Sequence, residues 1–162
     1  MRTIKFALIA GLVCAGSTTA FAATATNTFQ SQIIIQAECK VQSTQTLDFG
    51  TRGVLDANFD AQADIGVQCT NTTPYNLQLN AGSTVGGSIA TRLMTDGSAT
   101  VAYQMYRDAG HSQNWGQTNG TDTIAATGDG AVQTHTVYGR VAAQTTPAPA
   151  TYTDTVTVTV EY

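Results

Sequence analysis

Cysteines are the residues of this 162-residue sequence whose chemistry follows most directly from their type and spacing. Cys14 lies in an apolar N-terminal stretch, whereas Cys39 and Cys69 lie in the body of the chain. In an exported β domain, two cysteines favour a disulfide bond. A zinc site would need a nearby pair of histidines, which these two sulfurs lack. The sequence therefore predicts a Cys39–Cys69 bond, no metal site and no other cofactor.

Catalytic chemistry is not indicated by any motif. The chain lacks a Gly-x-Ser-x-Gly elbow, a His-Glu-x-x-His pair and a phosphate-binding loop. His111 and His135 lie in polar stretches, where we expect solvated side chains. Asp122 and Asp129 lie in a Gly-rich stretch, but their spacing matches no calcium loop. We therefore predict that the protein is not an enzyme and has no catalytic, cofactor-binding or metal-ligating residues.

The first 22 residues have the pattern of an export signal. Arg2 and Lys5 precede an apolar run that is too short to span a bilayer, and Ala20-Phe21-Ala22 fits a small-x-small cleavage site. We predict a signal peptide at residues 1–22, with a retained membrane anchor as the alternative. Removing Arg2 and Lys5 from seven basic residues leaves five against 11 acidic residues, a net charge of −6. This balance disfavours a nucleic-acid partner.

Apolar residues that alternate with polar ones predict strands through the rest of the chain. The clearest case is residues 152–162, where Val156, Val158 and Val160 alternate with threonines. Turn residues separate the stretches and leave little room for helices, so we predict a β-sandwich of about six or seven strands. Six main strands are predicted at residues 46–50, 64–70, 75–80, 101–107, 131–143 with a bend near Gly139, and 152–162. Residues 92–95 are a candidate short edge strand, and residues 123–125 are a candidate short strand among loops.

A further alternating stretch lies close to the predicted mature N-terminus. Phe29, Ile33 and Ile35 share one face of residues 29–37, and Ser31 is a gap in that face. Such a strand either completes its own sheet or completes the sheet of another molecule. The strong C-terminal strand is followed by nothing in this sequence that would cover its edge, and exposed edges need a partner.

Three stretches together resemble the spore-coat-U-like secreted family, which includes the major subunits of archaic chaperone–usher pili. The first is the alternating strand whose last isoleucine, Ile35, precedes Cys39 by four residues. The second is Val-Ala-Tyr-Gln-Met-Tyr-Arg-Asp-Ala at residues 101–109, followed by His111. The third is the C-terminal strand at residues 152–162. With Cys69 near the end of a predicted strand, the resemblance covers the whole mature chain.

The resemblance implies an all-β, incomplete immunoglobulin-like sandwich that is completed by donor strand exchange. A periplasmic chaperone, an outer-membrane usher and further copies of the chain in a surface fimbrium are the implied partners. Adhesion and biofilm formation are the implied roles. The resemblance implies two regions after the signal peptide. Residues 23–37 would be a donor extension, whose inserting face carries Phe29, Ser31, Ile33 and Ile35. Residues 38–162 would be the pilin domain, in which the edge strand of the acceptor groove carries Val156, Val158 and Val160.

Two other functions remain open at this point. A secreted monomeric β-sandwich would coat a surface or bind carbohydrate, using Tyr103, Tyr106 and Trp115 as a platform for sugar rings. We expect these aromatic residues to pack in the core or in loops instead. A tip adhesin is the second alternative, although such subunits usually carry an additional binding domain and this chain has room for one. The fibre subunit needs residues 29–37 free, whereas the monomer folds them back into its own sandwich.

Overall fold

A computed structural model describes residues 21–162, which form two antiparallel sheets and contain no helix. The larger sheet has the strand order β1-β2-β7-β5-β4, and the smaller one has the order β6-β3-β8. The predicted all-β fold is confirmed. The strands are β1 (Cys39–Thr44), β2 (Phe59–Cys69), β3 (Pro74–Leu79), β4 (Arg92–Thr95), β5 (Thr100–Tyr106), β6 (Ile124–Thr127), β7 (Val132–Val141) and β8 (Val158–Glu161).

Alternating residues from both sheets build one apolar core. Ile65 and Val67 of β2 belong to the same buried cluster as Leu77 and Leu79 of β3. Burying a side chain of this kind contributes about 1.5–3 kcal/mol relative to leaving it exposed. The period-two pattern of these strands therefore places the two sheets face to face as a sandwich.

The Cys39–Cys69 disulfide is present, as the sequence predicts. The two cysteines are opposite each other in the β1–β2 register and are separated by 30 residues. Closing a loop of that length stabilises the fold by about 3–4 kcal/mol in the chain-entropy model. Thr70 N donates to Glu38 O at 2.9 Å, so the start of the sandwich is attached to the end of β2.

Several predicted strands differ from those observed. β1 is not among the predicted strands, because it is exposed at every residue except Cys39 and so carries little apolar pattern. β2 begins at Phe59 instead of residue 64 because small alanines carry its inward pattern there. Residues 46–50 form no strand, because their backbone has no sheet partner. In the C-terminal stretch only Val158–Glu161 is a strand, and Thr153 makes an isolated bridge to Thr95.

The chain divides between Ile34 and Ile35 into an N-terminal unit and the sandwich. The predicted signal peptide at residues 1–22 lies almost entirely outside the described residues. No helix within residues 21–162 has the length and apolar character needed to cross a membrane.

Candidate functional site

An apolar groove opens where the inner face of the larger sheet is not covered by the smaller one. Its cavity volume is about 1090 Å³. One wall is formed by residues 44–53, and the other by residues 146–156 together with Val158. The apolar side chains that line it include Leu47, Phe49, Leu55, Phe59, Ala63, Ile65, Met94, Val101, Met105, Val137, Val141, Val156 and Val158.

The groove is flanked by strands that have a sheet neighbour on one side only. β1 pairs with β2 alone, and β8 pairs with β3 alone. Beyond β1, Gln45 N donates to Asp64 O at 3.0 Å, and residues 46–53 belong to neither sheet. Edge strands present backbone N–H and C=O groups that another strand can pair with. The groove therefore combines an apolar floor with backbone groups suited to strand addition.

The valines predicted for the acceptor edge alternate with exposed threonines. Val156, Val158 and Val160 are all half-buried. Val156 and Val158 line the groove, whereas Val160 lies further along β8 and outside the groove lining.

Side chains hold the C-terminal wall in place where it lacks a sheet partner. Asp154 accepts hydrogen bonds from Ser83 N at 2.8 Å, from Thr84 N at 3.2 Å and from Tyr103 Oη at 2.8 Å. Asn80 Oδ1 accepts from Thr157 N at 2.8 Å. These hydrogen bonds therefore hold the wall in an extended conformation.

These contacts also shift two pKa values. Burial, then the hydrogen bond to Asp154, raises the pKa of Tyr103, which keeps its hydroxyl protonated as a donor. Burial alone would raise the pKa of Asp154, but hydrogen bonds from Tyr103 and Ser83 outweigh it and lower that pKa. Sequence reasoning missed this pair because its members are far apart in the chain and neither lies in a recognisable motif.

Residues 21–38 contain no strand, although the alternation at 29–37 predicts one. Phe29, Ile33 and Ile35 are exposed by 90%, 81% and 70%, and Ser31 is exposed as well. A strand needs a neighbouring strand for its hydrogen bonds, and neither sheet includes a residue of this stretch. In the structure, residues 29–37 belong to neither sheet.

The aromatic residues considered for sugar binding do not form a surface platform. Trp115 is completely buried, and its Nε1 donates to Leu77 O at 2.9 Å. Tyr103 is 3% exposed, and Tyr106 packs edge-on against His111. These aromatic rings stabilise the core and its loops, as expected from the sequence.

The prediction that both histidines are solvated is wrong. The His111 side chain is only 10% exposed and packs against the rings of Tyr106 and Tyr138. His135 faces inward on β7, where its Nε2 lies 2.7 Å from Tyr75 Oη. The polar residues next to these histidines in the sequence did not indicate that the rings are shielded from solvent. The aromatic side chains that pack against them come from other strands.

The half-buried position of His135 predicts a pH-dependent stability. Burial lowers the pKa of His135, so the folded state favours the neutral ring. The unfolded chain takes up the proton near the ordinary pKa of about 6.5, so stability is complete above that pH and falls as the pH drops through it. Urea unfolding at about pH 7.5 and pH 5.5 should show this loss in the wild type and a smaller loss in His135→Gln. An equal loss in both proteins would contradict the assignment.

Fold and groove together define an all-β sandwich whose smaller sheet ends at β8 beside an uncovered apolar floor. The sequence family described as the Spore Coat Protein U domain matches residues 25–159. The chain belongs to this family, and the resemblance inferred from the sequence is confirmed.

Solved structures that are similar to the chain include two from chaperone–usher pilus systems. One is the CsuC–CsuE chaperone–tip adhesion subunit pre-assembly complex from archaic chaperone–usher Csu pili of Acinetobacter baumannii, with 28% identity and a TM-score of 0.57. That match covers 79% of this chain and 40% of the other. The other is a chaperone–usher pilus, with 14% identity, a TM-score of 0.49, and coverage of 90% of this chain and 99% of that one. No curated protein sequence matches the chain.

Proposed function

We propose that this protein is the structural subunit of a chaperone–usher pilus, and that it polymerises by inserting its N-terminal strand into the groove of a neighbouring subunit. The observation that carries the proposal is the apolar groove beside the free edge of β8. Strand addition fits such a site because backbone hydrogen bonds supply affinity and alternate side chains fill pockets.

The predicted donor extension is suited to a dry groove. Residues 23–37 contain no charged side chain, and Phe29, Ile33 and Ile35 share one face. Burying these three side chains contributes about 5–9 kcal/mol in total at roughly 1.5–3 kcal/mol each. Ordering the segment subtracts from this gain. Ser31 is a small polar gap in the same face.

A second copy of the chain is the source of the strand in this proposal. Phe29, Ile33 and Ile35 are exposed in the single chain, and neither sheet includes a residue of 29–37. These side chains are therefore available to the groove of a neighbour.

Partners and location follow from the same proposal. Export directed by residues 1–22 would bring the chain to the periplasm, where a chaperone would cover the groove, and an outer-membrane usher would then exchange the chaperone for the next subunit. The similarity to a subunit crystallised with its chaperone supports this route, although the chain spans less than half of that structure's chain. The fibre would serve adhesion and biofilm formation, without an enzymatic activity, cofactor or nucleic-acid partner.

Heat- and SDS-resistant ladders test the proposal. The exported wild-type protein should give ladders on gels, because each inserted strand becomes part of a neighbour's core. Deleting residues 29–35 should remove the ladders, whereas a matched deletion of the polar residues 23–28 should leave them. Ladders that persist without residues 29–35 would contradict strand exchange through this segment.

A further inference from the structure

A depression in the larger sheet lies beneath one wall of the groove. Gly139 is on the inner face of β7, between the groove-lining residues Val137 and Val141. Its register partner on β2 is Ala61, and its partner on β5 is Met105. Two adjacent small residues therefore lower the sheet surface at this point.

The strap, which we define as residues 45–53, fills this depression with two side chains. A Cβ atom at Gly139 would lie 2.6 Å from Leu47 Cδ2 and 2.9 Å from Phe49 Cζ. Carbon atoms pack favourably at about 3.5–4.0 Å, so any larger residue at this position would push both side chains away. Phe49 also packs edge-on against Tyr103, at 6.1 Å between ring centroids.

The backbone of Gly139 does not itself require glycine. Gly139 is not among the residues with positive φ, and it lies inside a regular strand. Glycine weakens a strand interior and often marks a place where something approaches closely. Space for Leu47 and Phe49 is therefore the reason for glycine here, rather than the bend that the sequence suggests.

We propose that Gly139 positions the strap so that the groove stays open to an incoming strand; this inference rests on the proposed function. The strap and the C-terminal wall with Val156 and Val158 face each other across the groove. A side chain at position 139 lifts Leu47 and Phe49 into the space that the donor side chains need. Gly139 therefore controls access to the groove without touching the donor strand.

The full exported chain carrying Gly139→Ala or Gly139→Val tests this role through the same ladder assay. Overpacking should lower the yield of ladders by about tenfold for Gly139→Val and less for Gly139→Ala. Gly66→Ala is the matched control. Its Cβ would lie 2.5 Å from Ser43 Oγ and 3.2 Å from Val132 Cγ1, neither of which lines the groove. Gly66→Ala should assemble like the wild type.

A rescue variant separates blocked assembly from failed folding. Leu47→Ala added to Gly139→Ala removes the closest clash and should restore much of the ladder yield, while disulfide formation and the thermal melt report folding. Normal ladders from Gly139→Val, or no recovery in a folded double variant, would overturn this inference alone. Absence of ladders from the wild type would overturn the proposed function and this inference with it.

Discussion

Ile33→Asp combined with Ile35→Asp should abolish fibres while the sandwich remains folded. Both side chains are exposed in the single chain, so the domain loses no core contact when they change. In a neighbour's groove, each new carboxylate would sit in an apolar environment, which costs several kcal/mol unless it becomes protonated or the strand withdraws. Fibre yield and the thermal melt of the chaperone-bound subunit measure the two effects separately.

Gln32→Asp is the matched control for the donor strand. Gln32 immediately precedes Ile33 and points to the opposite face of the alternating stretch. Gln32→Asp adds one of the double variant's two negative charges and adds it to the face that does not insert, so it should lower fibre yield far less. Normal fibres from the double isoleucine variant would be incompatible with the proposed exchange. A destabilised monomer would instead indicate that residues 29–37 belong to their own sandwich.

Arg92→Ala should cause the largest loss of stability of any single substitution proposed for the sandwich. Arg92 is fully buried in β4, and its guanidinium donates to four backbone carbonyls, those of Leu79, Asn80, Ile89 and Trp115. Burial lowers the pKa of Arg92, but an arginine remains protonated. Truncation to alanine leaves a cavity and removes the donor from four carbonyls, which should lower the free energy of unfolding by about 3–5 kcal/mol. Urea unfolding of the wild type and the variant measures this loss.

Arg140→Ala provides the comparison at an accessible arginine. Arg140 Nε and Nη2 each donate to a carboxylate oxygen of Asp60 at 2.7 Å, near the surface of the larger sheet. Ion pairs of this kind contribute up to about 1 kcal/mol. The hydrogen bonds of Arg92 indicate that it connects β4 to the end of β3. An equal urea midpoint for Arg92→Ala and Arg140→Ala would contradict that role.

The sequence by itself determined the class of fold and the disulfide. Val156, Val158 and Val160 alternate with polar residues, and this period of two matches a strand that has one apolar face. The period is a property of the local sequence, so it could be recognised without knowledge of the rest of the fold. Cys39 and Cys69 are the only cysteines after the predicted leader, so their pairing also required no knowledge of the fold. Where apolar side chains were small or absent, as in β1 and the first half of β2, the local pattern failed.

Only the tertiary structure decided which segments became strands and where the groove lies. Residues 46–50 carry a good strand pattern but line a groove wall, because no neighbouring backbone pairs with them. Gly139, Asp154 and Tyr103 acquire their roles from partners that are distant in sequence. The groove exists because part of one sheet face is left uncovered, and this depends on which strands are neighbours. Strands become neighbours through pairing between distant segments, which the alternation within one segment does not encode.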